Sequence, residues 1–192
     1  MHLGSEFYTD EELSHLPFKH IGSNVKIKKT AGLYFVENIS LGDNVRIDDF
    51  SIIVASTNLT FISSNVHIAS HCYIAASGGF TMNAFSGLAP GVCIFTGSDD
   101  YSGKKLTNPT VPKKYTGGTT APVILGRHVI IGTNSVILPG VNIDDGSSVG
   151  AQSLVTKSLD AWGVYFGSPV RKIKNRSKEL LLLEKEYLSQ LL

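Results

Sequence analysis

Histidine is the residue type through which this sequence could most readily move a proton. Three histidines, His67, His71 and His128, lie in the regular middle of the chain, and imidazole exchanges a proton near neutral pH. Each is therefore a candidate general base for a transfer reaction. His67 is favoured, because it precedes Ile68 of the repeat described below and should point outward at a corner. Three further histidines lie near the N-terminus, where we expect them to be solvated: His2, His15 and His20.

Two neighbouring carboxylates, Asp99 and Asp100, are the second candidates for a catalytic role. Adjacent carboxylates raise the pKa of one of them when they are shielded from water. Either could orient His67 or accept the ammonium group of a substrate. The alternative is an aspartate-rich turn before Tyr101, because aspartate side chains readily bond to nearby backbone. The order of the repeats places the pair and His67 on different sides, so we expect them to meet only across a boundary between subunits.

Residues 95–122 form a polar stretch rich in glycine, proline, lysine and tyrosine. Tyr101 and Tyr115 could stack on a base or a sugar, and His128, which follows the stretch, could contact the substrate. The lysines of the stretch, which could meet a nucleotide pyrophosphate, are Lys104, Lys105, Lys113 and Lys114. A lysine-rich loop is often only a solvated excursion. We expect a mixed role, in part subunit contact and in part acceptor binding.

The elements that must position these side chains follow a period of six residues. Large aliphatic residues recur without a break at Leu125, Ile131, Ile137, Ile143, Val149 and Val155. Strands repeat every two residues and helices every 3.6, so a strict six indicates a short straight segment followed by a turn. The fourth place of most units is small, as in Ser135, Ser147 and Ser153, which lets the backbone turn a corner. Three such sides close a triangular coil, and coils must stack because one coil cannot bury its own aliphatic residues.

The same period begins near Ile21 and slips at three places, which we interpret as bulges or short loops: residues 35–40, 54–61 and 76–81. The interruption at residues 95–122 is much longer, and a long loop ejected from a regular scaffold is usually functional. We therefore predict an all-β solenoid with one ejected loop. Its three parts are a helical segment in residues 1–20, the solenoid over 21–175 and a C-terminal helix over 176–192.

The two terminal helices have different signatures. Residues 7–18 are predicted to be helical, and Thr9 and Glu12 have the spacing of a capping box for that helix. Residues 177–192 place apolar side chains on one helical face, namely Leu180, Leu181, Leu183, Tyr187 and Leu191. A face this apolar must pack on the end of the solenoid or on a neighbouring chain.

Composition excludes several classes of function. The net charge is +1 and no basic stripe is interleaved with aromatic residues, so we expect no binding to nucleic acid or to an anionic membrane. The sequence has no run of about 18 apolar residues and no signal-peptide pattern, so we predict a cytoplasmic protein without a membrane span. Cys72 and Cys93 lack CxxC spacing, and we expect them to be buried thiols rather than metal ligands.

Six segments of the sequence carry a family resemblance: FYTDEEL at 7–13, LGDNVRIDDF at 41–50, VHIA at 66–69, SDDYSG at 98–103, NPTVP at 108–112 and HVIIG at 128–132. Together with the repeat, they resemble the hexapeptide-repeat acyltransferases, whose fold is a left-handed parallel β-helix. Within that family the sequence looks most like sugar acetyltransferases of surface-polysaccharide (O-antigen) pathways that act on the amino group of a dTDP-4-amino-4,6-dideoxy sugar. Sugar O-acetyltransferases of the galactoside or maltose type are the alternative.

This resemblance implies a homotrimer with active sites between adjacent subunits, acetyl-CoA as the donor and a nucleotide-linked amino sugar as the acceptor. It also carries over four residues as CoA contacts: Ala151, Lys157, Pro169 and Arg171. Corner residues without bulk and further cations at the same end fit that role: Gly132, Thr133, Gly150, Gln152, Lys172, Lys174 and Arg176. The alternative is that these cations only solvate the end of the solenoid.

One departure from the family concerns the base. Galactoside-type members carry a catalytic histidine after the strand that enters the loop, and this sequence has Asp99 there, so that role does not transfer. Two other functions use the same scaffold. A zinc hydratase would need three histidines, but His67 and His71 have no third partner at a matching spacing. A purely structural solenoid would not explain the long loop and the basic C-terminal end.

Overall fold

The chain folds into a three-sided prism in a computed structural model that describes residues 4–190. Three parallel sheets form the faces, and each coil contributes one short strand to each face in turn. This is the left-handed parallel β-helix that the sequence predicts, with about seven turns and a helix near either end. The sequence predicts a solvated side chain for His2 and a place on the apolar helix face for Leu191. Both lie outside the described residues.

The strands before the polar loop are β1 (His20–Ile21), β2 (Lys26–Ile27), β3 (Gly32–Tyr34), β4 (Ile39–Leu41), β5 (Arg46–Ile47), β6 (Ile52–Val54), β7 (Thr60–Ile62), β8 (His67–Ile68), β9 (Tyr73–Ala75), β10 (Phe80–Met82), β11 (Gly87–Leu88) and β12 (Cys93–Phe95). The strands within and after the loop are β13 (Gly97–Asp99), β14 (Gly118–Thr120), β15 (Val123–Leu125), β16 (Ile130–Ile131), β17 (Val136–Ile137), β18 (Asn142–Ile143), β19 (Ser148–Val149), β20 (Leu154–Val155), β21 (Gly163–Gly167) and β22 (Val170–Asn175).

The first face has the strand order β1-β4-β7-β10-β15-β18, the second β2-β5-β8-β11-β16-β19-β21-β22 and the third β3-β6-β9-β12-β17-β20. Strand pairs within the faces are parallel, but the second face ends in an antiparallel pair, β21 with β22. The polar loop is less irregular than its sequence suggests. It contains a two-stranded antiparallel ribbon, β13 with β14, which leaves the prism between the third and the first face.

The period of six arises because each strand directs an aliphatic residue into the prism. On the second face Ile47, Ile68, Leu88, Ile131 and Val149 stand in register on consecutive strands and are almost completely buried. Each such side chain contributes about 1.5–3 kcal/mol by burial, and the coils above and below provide the cover. The predicted ladder from residue 125 to residue 155 is buried at every sixth residue.

The small residue at the fourth place of a unit closes a corner. Ser51 and Ser135 are completely buried there. Their hydroxyls donate to backbone carbonyls of the next coil, to Ala69 at 2.7 Å and to Gly150 at 3.0 Å. The residue before each serine has a left-handed backbone, with φ values of 59° and 57°. The corner therefore needs a side chain that is small and can also satisfy a buried carbonyl.

The N-terminal helix α1 (Asp10–Ser14) is a single short turn, and the predicted helix over residues 7–18 is too long. The predicted capping box is present, since Thr9 Oγ1 accepts from the Glu12 backbone N at 3.1 Å and the Glu12 carboxylate accepts from the Thr9 backbone N at 2.7 Å. The helix begins late because Phe7 forms an antiparallel bridge with Lys28, which requires extended backbone. A 3₁₀ turn, Val36–Asn38, accommodates the first predicted slip of the repeat.

The C-terminal helix α2 (Leu180–Ser189) folds back onto the corner between the first and the second face. Its Glu184 contacts both Arg127 and His128 at that corner. The predicted apolar face packs only in part, because Leu183, one of its members, remains well exposed. No helix of the described chain is long and apolar enough to cross a lipid bilayer.

Candidate active site

An arginine, an aspartate and a histidine form a hydrogen-bonded chain on the outer surface of the second face. His67 opens strand β8 and Arg46 opens strand β5, and the two are cross-strand neighbours. Asp48 follows β5 and joins them, with Oδ2 2.7 Å from His67 Nε2 and Oδ1 2.7 Å from Arg46 Nε. His67 thus points outward as predicted, but it lies on the flat of a strand and not at a corner, because the coil turns only after Ile68.

The local sequence explains this arrangement. Neighbouring residues of a strand point to opposite sides, and Ile47 points inward, so Arg46 and Asp48 both lie on the outer side. The next coil then brings His67 alongside them. Sequence reasoning missed Asp48, although the alternation around Ile47 was visible. Because the six-residue period slips at residues 54–61, the sequence did not show which residue of the following coil would lie beside Asp48.

Asp48 is held in its ionised form. Burial on its own would raise the pKa of this carboxyl, but the hydrogen bonds with His67 and Arg46 outweigh burial and lower the pKa. An ionised carboxylate can only accept hydrogen bonds, so this contact requires Nε2 of His67 to be the donor. Within residues 4–190, Nδ1 of His67 has no hydrogen-bond partner, and it faces solvent.

The surface beside His67 is open. Its neighbour on the next strand is Gly87, and a Cβ there would meet nothing nearer than the His67 carbonyl oxygen at 3.9 Å. The side chain of His67 is 52% exposed, whereas that of Asp48 is only 15% exposed. A substrate can therefore reach the imidazole from the side of β11, while the carboxylate behind it stays sheltered.

The two adjacent aspartates of the loop have different environments. Asp100 organises the loop, with Oδ1 accepting from the Ser102 backbone N at 2.9 Å and Oδ2 from the Lys105 backbone N at 2.8 Å. These bonds, chiefly those with Ser102, lower the pKa of the Asp100 carboxyl. Asp100 thus forms the turn that the sequence offered as the alternative, and a catalytic role for it stays a prediction. Asp99 lies at the end of β13, and its carboxylate accepts no hydrogen bond from the described part of the chain.

A polar concavity surrounds Asp99 at the base of the ribbon. It is lined by Gly97, Ser98, Asp99, Gly117, Gly118 and Thr120. The ribbon and the residues it carries, 97–120, form a projection that we call the arm. Its predicted substrate contacts, Tyr101, Lys104 and Tyr115, project into solvent, and Tyr101 is 92% exposed. The arm leaves the prism between the third and the first face, whereas His67 lies on the second face, so one protomer does not bring them together.

His128, predicted to contact substrate, is withdrawn from solvent by α2. Its ring stacks on Phe85 with ring centroids 5.3 Å apart, and its Nε2 lies 2.8 Å from Glu184 Oε2. Arg176, which the sequence groups with the phosphate-binding cations, donates instead to the carbonyls of His128 and Gly146 at 2.7 and 3.0 Å. We call the contacts of Glu184 and Arg176 with this corner the clasp, because they hold the C-terminal segment on the prism. Substrate contact by His128 stays a prediction.

The residues predicted to bind CoA lie on the last coils and on the hairpin β21-β22. A Cβ at Gly132 would come within 2.4 Å of the Ala151 backbone N, and one at Gly150 within 2.4 Å of the Phe166 ring. Coil packing therefore requires glycine at position 132, whatever ligand approaches, whereas a Cβ at position 150 would displace the exposed ring of Phe166. Thr133 is half-buried, and the other predicted contacts are exposed: Ala151, Gln152, Lys157, Pro169, Arg171 and Lys174.

The described residues include no group of three or more histidine, cysteine, aspartate or glutamate side chains placed to hold a metal ion. Cys72 is a buried thiol, as predicted, and burial raises its pKa to about 11. Cys93 departs from the prediction, because it lies on the outer side of β12 and is only half-buried. Cys72 is therefore not poised as a nucleophile.

Comparison with known proteins adds a family and several relatives. A family model described as bacterial transferase hexapeptide (six repeats) matches residues 122–157. A dTDP-4-amino-4,6-dideoxy-D-glucose acyltransferase of Escherichia coli is 40% identical over 178 residues, which are 92% of this chain and 93% of that protein. The crystal structure of AntD, an N-acyltransferase from Bacillus cereus in complex with dTDP and 3-hydroxybutyryl-CoA, is 41% identical with a TM-score of 0.92 and covers 97% of this chain and 98% of its own. A variant of AntD in complex with dTDP-4-amino-4,6-dideoxyglucose and coenzyme A has a TM-score of 0.91 at 41% identity, over 97% of this chain and 99% of its own.

Proposed function

This chain belongs to the hexapeptide-repeat acyltransferases, and we propose that it transfers an acetyl group from acetyl-CoA to the amino group of a dTDP-4-amino-4,6-dideoxyhexose. The observation that carries the proposal is the extent of the similarity to AntD. The superposition covers 97% of this chain, so the few residues outside it cannot include the whole loop at 95–122. The six-residue repeat dictates the scaffold but not that loop, so similarity through the loop points to a similar acceptor.

Acetyl transfer to an amine needs a general base and an amine held in place. It does not need a covalent acyl-enzyme intermediate. The neutral amine of the sugar attacks the thioester carbonyl, and its proton passes to Nδ1 of His67 as the C–N bond forms. The C–S bond then breaks, and the imidazolium returns the proton to the CoA sulfur, which leaves as the thiol. Asp99 accepts a hydrogen bond from the amine and holds it in line for attack.

Assembly into a homotrimer completes this site. The outer side of the third face is apolar along consecutive strands, with Ile52, Tyr73, Cys93, Val136 and Leu154 in register. A second copy of the chain is the natural cover for such a surface in a symmetric oligomer. In this arrangement the arm of one protomer reaches the second face of its neighbour and places Asp99 opposite His67.

The donor lies along the end of the prism that carries exposed cations. Lys157, Arg171 and Lys174 would bind the 3′-phosphate and the pyrophosphate of CoA, since cations bind phosphate through charge-assisted hydrogen bonds. Gln152 and Ala151 at the adjoining corner would border the pantetheine arm. We further propose that the product serves surface-polysaccharide synthesis in the cytoplasm.

The test is release of CoA thiol by the purified protein with acetyl-CoA and defined acceptors. We expect turnover with dTDP-4-amino-4,6-dideoxyglucose and a product heavier by one acetyl group, located on nitrogen by mass fragmentation. The matched control acceptor is the same dTDP sugar with a hydroxyl in place of the amine. Acetylation of that hydroxyl sugar, or of galactosides and maltose, in preference to the amine would establish the O-acetyltransferase alternative and overturn the proposal.

A further inference from the structure

We infer that Asp48, steadied by Arg46, is the positioning residue that fixes His67 in the tautomer with its proton on Nε2 and so leaves Nδ1 free to accept a proton from the acceptor. The inference rests on the proposed function for its catalytic meaning. It changes the expectation from sequence, in which Asp99 or Asp100 was to orient the histidine. Asp48 itself touches neither substrate in this assignment.

The geometry carries the inference because both carboxylate oxygens of Asp48 are engaged. One oxygen meets His67 Nε2 and the other meets Arg46 Nε, each at 2.7 Å. The carboxylate cannot turn toward one partner without leaving the other. An imidazole held at one nitrogen by a fixed acceptor has one favoured tautomer and one favoured ring orientation.

Arg46 is itself held from the N-terminal side. Its guanidinium carbon lies 5.5 Å from the ring centroid of Phe7, within the range of a cation–π contact. Phe7 is anchored by its bridge to Lys28, whose ammonium lies 4.3 Å from the same ring centroid. The segment before α1 therefore supports the arginine that supports Asp48.

The neighbouring carboxylate provides a matched control. Asp49 bonds to the N-terminal segment and the first coil, since its carboxylate accepts from the hydroxyls of Ser5 and Thr30, the latter at 2.7 Å. It makes no contact with His67 in the described residues. Asp49→Asn removes one negative charge next to Asp48, but its amide oxygen can still accept from Ser5 and Thr30, so the contact between Asp48 and His67 should stay intact.

The experiment combines nitrogen-15 NMR of the histidine rings with steady-state kinetics on the full-length protein, with His67→Gln used to assign the His67 signals. In the unaltered protein we expect His67 to be in the Nε2–H tautomer. Asp48→Asn should shift the population toward the Nδ1–H tautomer and lower kcat at least about tenfold, with little change in the KM for acetyl-CoA. Asp48→Glu should restore part of the loss, and Asp49→Asn should match the unaltered protein in both readouts.

An unchanged tautomer and an unchanged kcat in folded Asp48→Asn would overturn the inference, and so would an equal loss in Asp49→Asn. Circular dichroism melting separates these outcomes from misfolding, and Asp48→Glu keeps the test valid if Asp48→Asn does not fold. If the proposed function is wrong, the experiment gives a different result. The unaltered protein would then turn over no dTDP-amino sugar, while the tautomer shift would still decide whether Asp48 orients His67.

Discussion

His67 and Asp99 each present an unoccupied proton-accepting atom to solvent, but they do so in different ways. Asp48 fixes the imidazole of His67 at one nitrogen, whereas Asp99 ends a short ribbon and accepts no hydrogen bond from residues 4–190. A fixed acceptor suits proton removal, which needs a defined direction. A carboxylate on a projecting arm suits the capture of an amine that must first arrive.

Replacement of His67, the proposed base, should affect turnover and not donor binding. We expect His67→Ala to lower kcat by about 100-fold or more, because general base catalysis contributes that much, with little change in the KM for acetyl-CoA. Steady-state release of CoA thiol measures both quantities. His71→Asn is the matched control, since His71 stacks on Phe50 at a corner, and its left-handed backbone, with a φ of 60°, suits asparagine. Equal losses in the two variants would remove His67 from the mechanism.

Replacement of the arm carboxylate should affect the acceptor. Asp99→Asn keeps the shape of the side chain but removes a charge-assisted hydrogen bond, which is worth about 1.5–3 kcal/mol. We expect the KM for the amino sugar to rise at least about tenfold, while the KM for acetyl-CoA stays near its original value. Initial rates measured with each substrate varied in turn give the comparison. A parallel rise in both constants would argue for damage to the loop instead.

At the scale of the strand and the corner, the repeat accounts for nearly every element. Ile131 and Ser135 could be placed from the sequence because one points inward and the other closes a corner in every coil. The limits of α1 could not be placed, because Phe7 pairs with Lys28 far along the chain. The clasp on His128 was missed for the same reason, since Glu184 reaches it from the last helix. Contacts within a coil are predictable, and contacts between distant segments are not.

One core position of the first face breaks the pattern of its neighbours. Thr60 is completely buried between Ile39 and Phe80, and its hydroxyl has no hydrogen-bond partner in the described structure. A buried hydroxyl without a partner costs about 1–3 kcal/mol. We expect Thr60→Val, which has nearly the same shape, to raise the free energy of unfolding by about 1 kcal/mol or more in urea denaturation.

Thr96 is the control for that measurement, because it is equally buried but its hydroxyl is satisfied. Its Oγ1 donates to the Ala75 carbonyl at 2.8 Å and accepts from the Gly78 backbone N at 2.7 Å. Thr96→Val should therefore lower the free energy of unfolding. If both valine variants destabilise the protein equally, the hydroxyl of Thr60 has a partner in solution.

At the scale of the whole molecule, the prism separates the groups that the reaction requires. His67 lies on the second face and the ribbon with Asp99 emerges beside the third, so the proposed site requires residues from two neighbouring protomers. The sequence indicated this division through the order of the sides. It could not supply Asp48, whose role depends on the register between two coils.

A shared site can be tested by mixing inactive variants. We expect His67→Ala and Asp99→Asn each to be poorly active alone, and their mixture, unfolded and refolded together, to regain a substantial part of the original activity. Mixed trimers contain a site with an intact histidine from one protomer and an intact aspartate from another. A mixture no more active than its components would place both groups in the same protomer. Sedimentation of the mixture checks that trimers have formed.

Asp48 and His67 lie on successive coils, so distances along the axis of the prism are set by the spacing between coils. Their separation is set by the spacing of about 4.8 Å between adjacent strands, and each further coil adds one such step along the axis. A relative that gained or lost a whole coil beyond β8 would keep the pair intact, yet it would alter the reach from the imidazole to Lys157 and Arg171. Because the arm of CoA between its phosphates and its thioester has one fixed length, only a suitable number of coils would bring the thioester carbonyl to the imidazole.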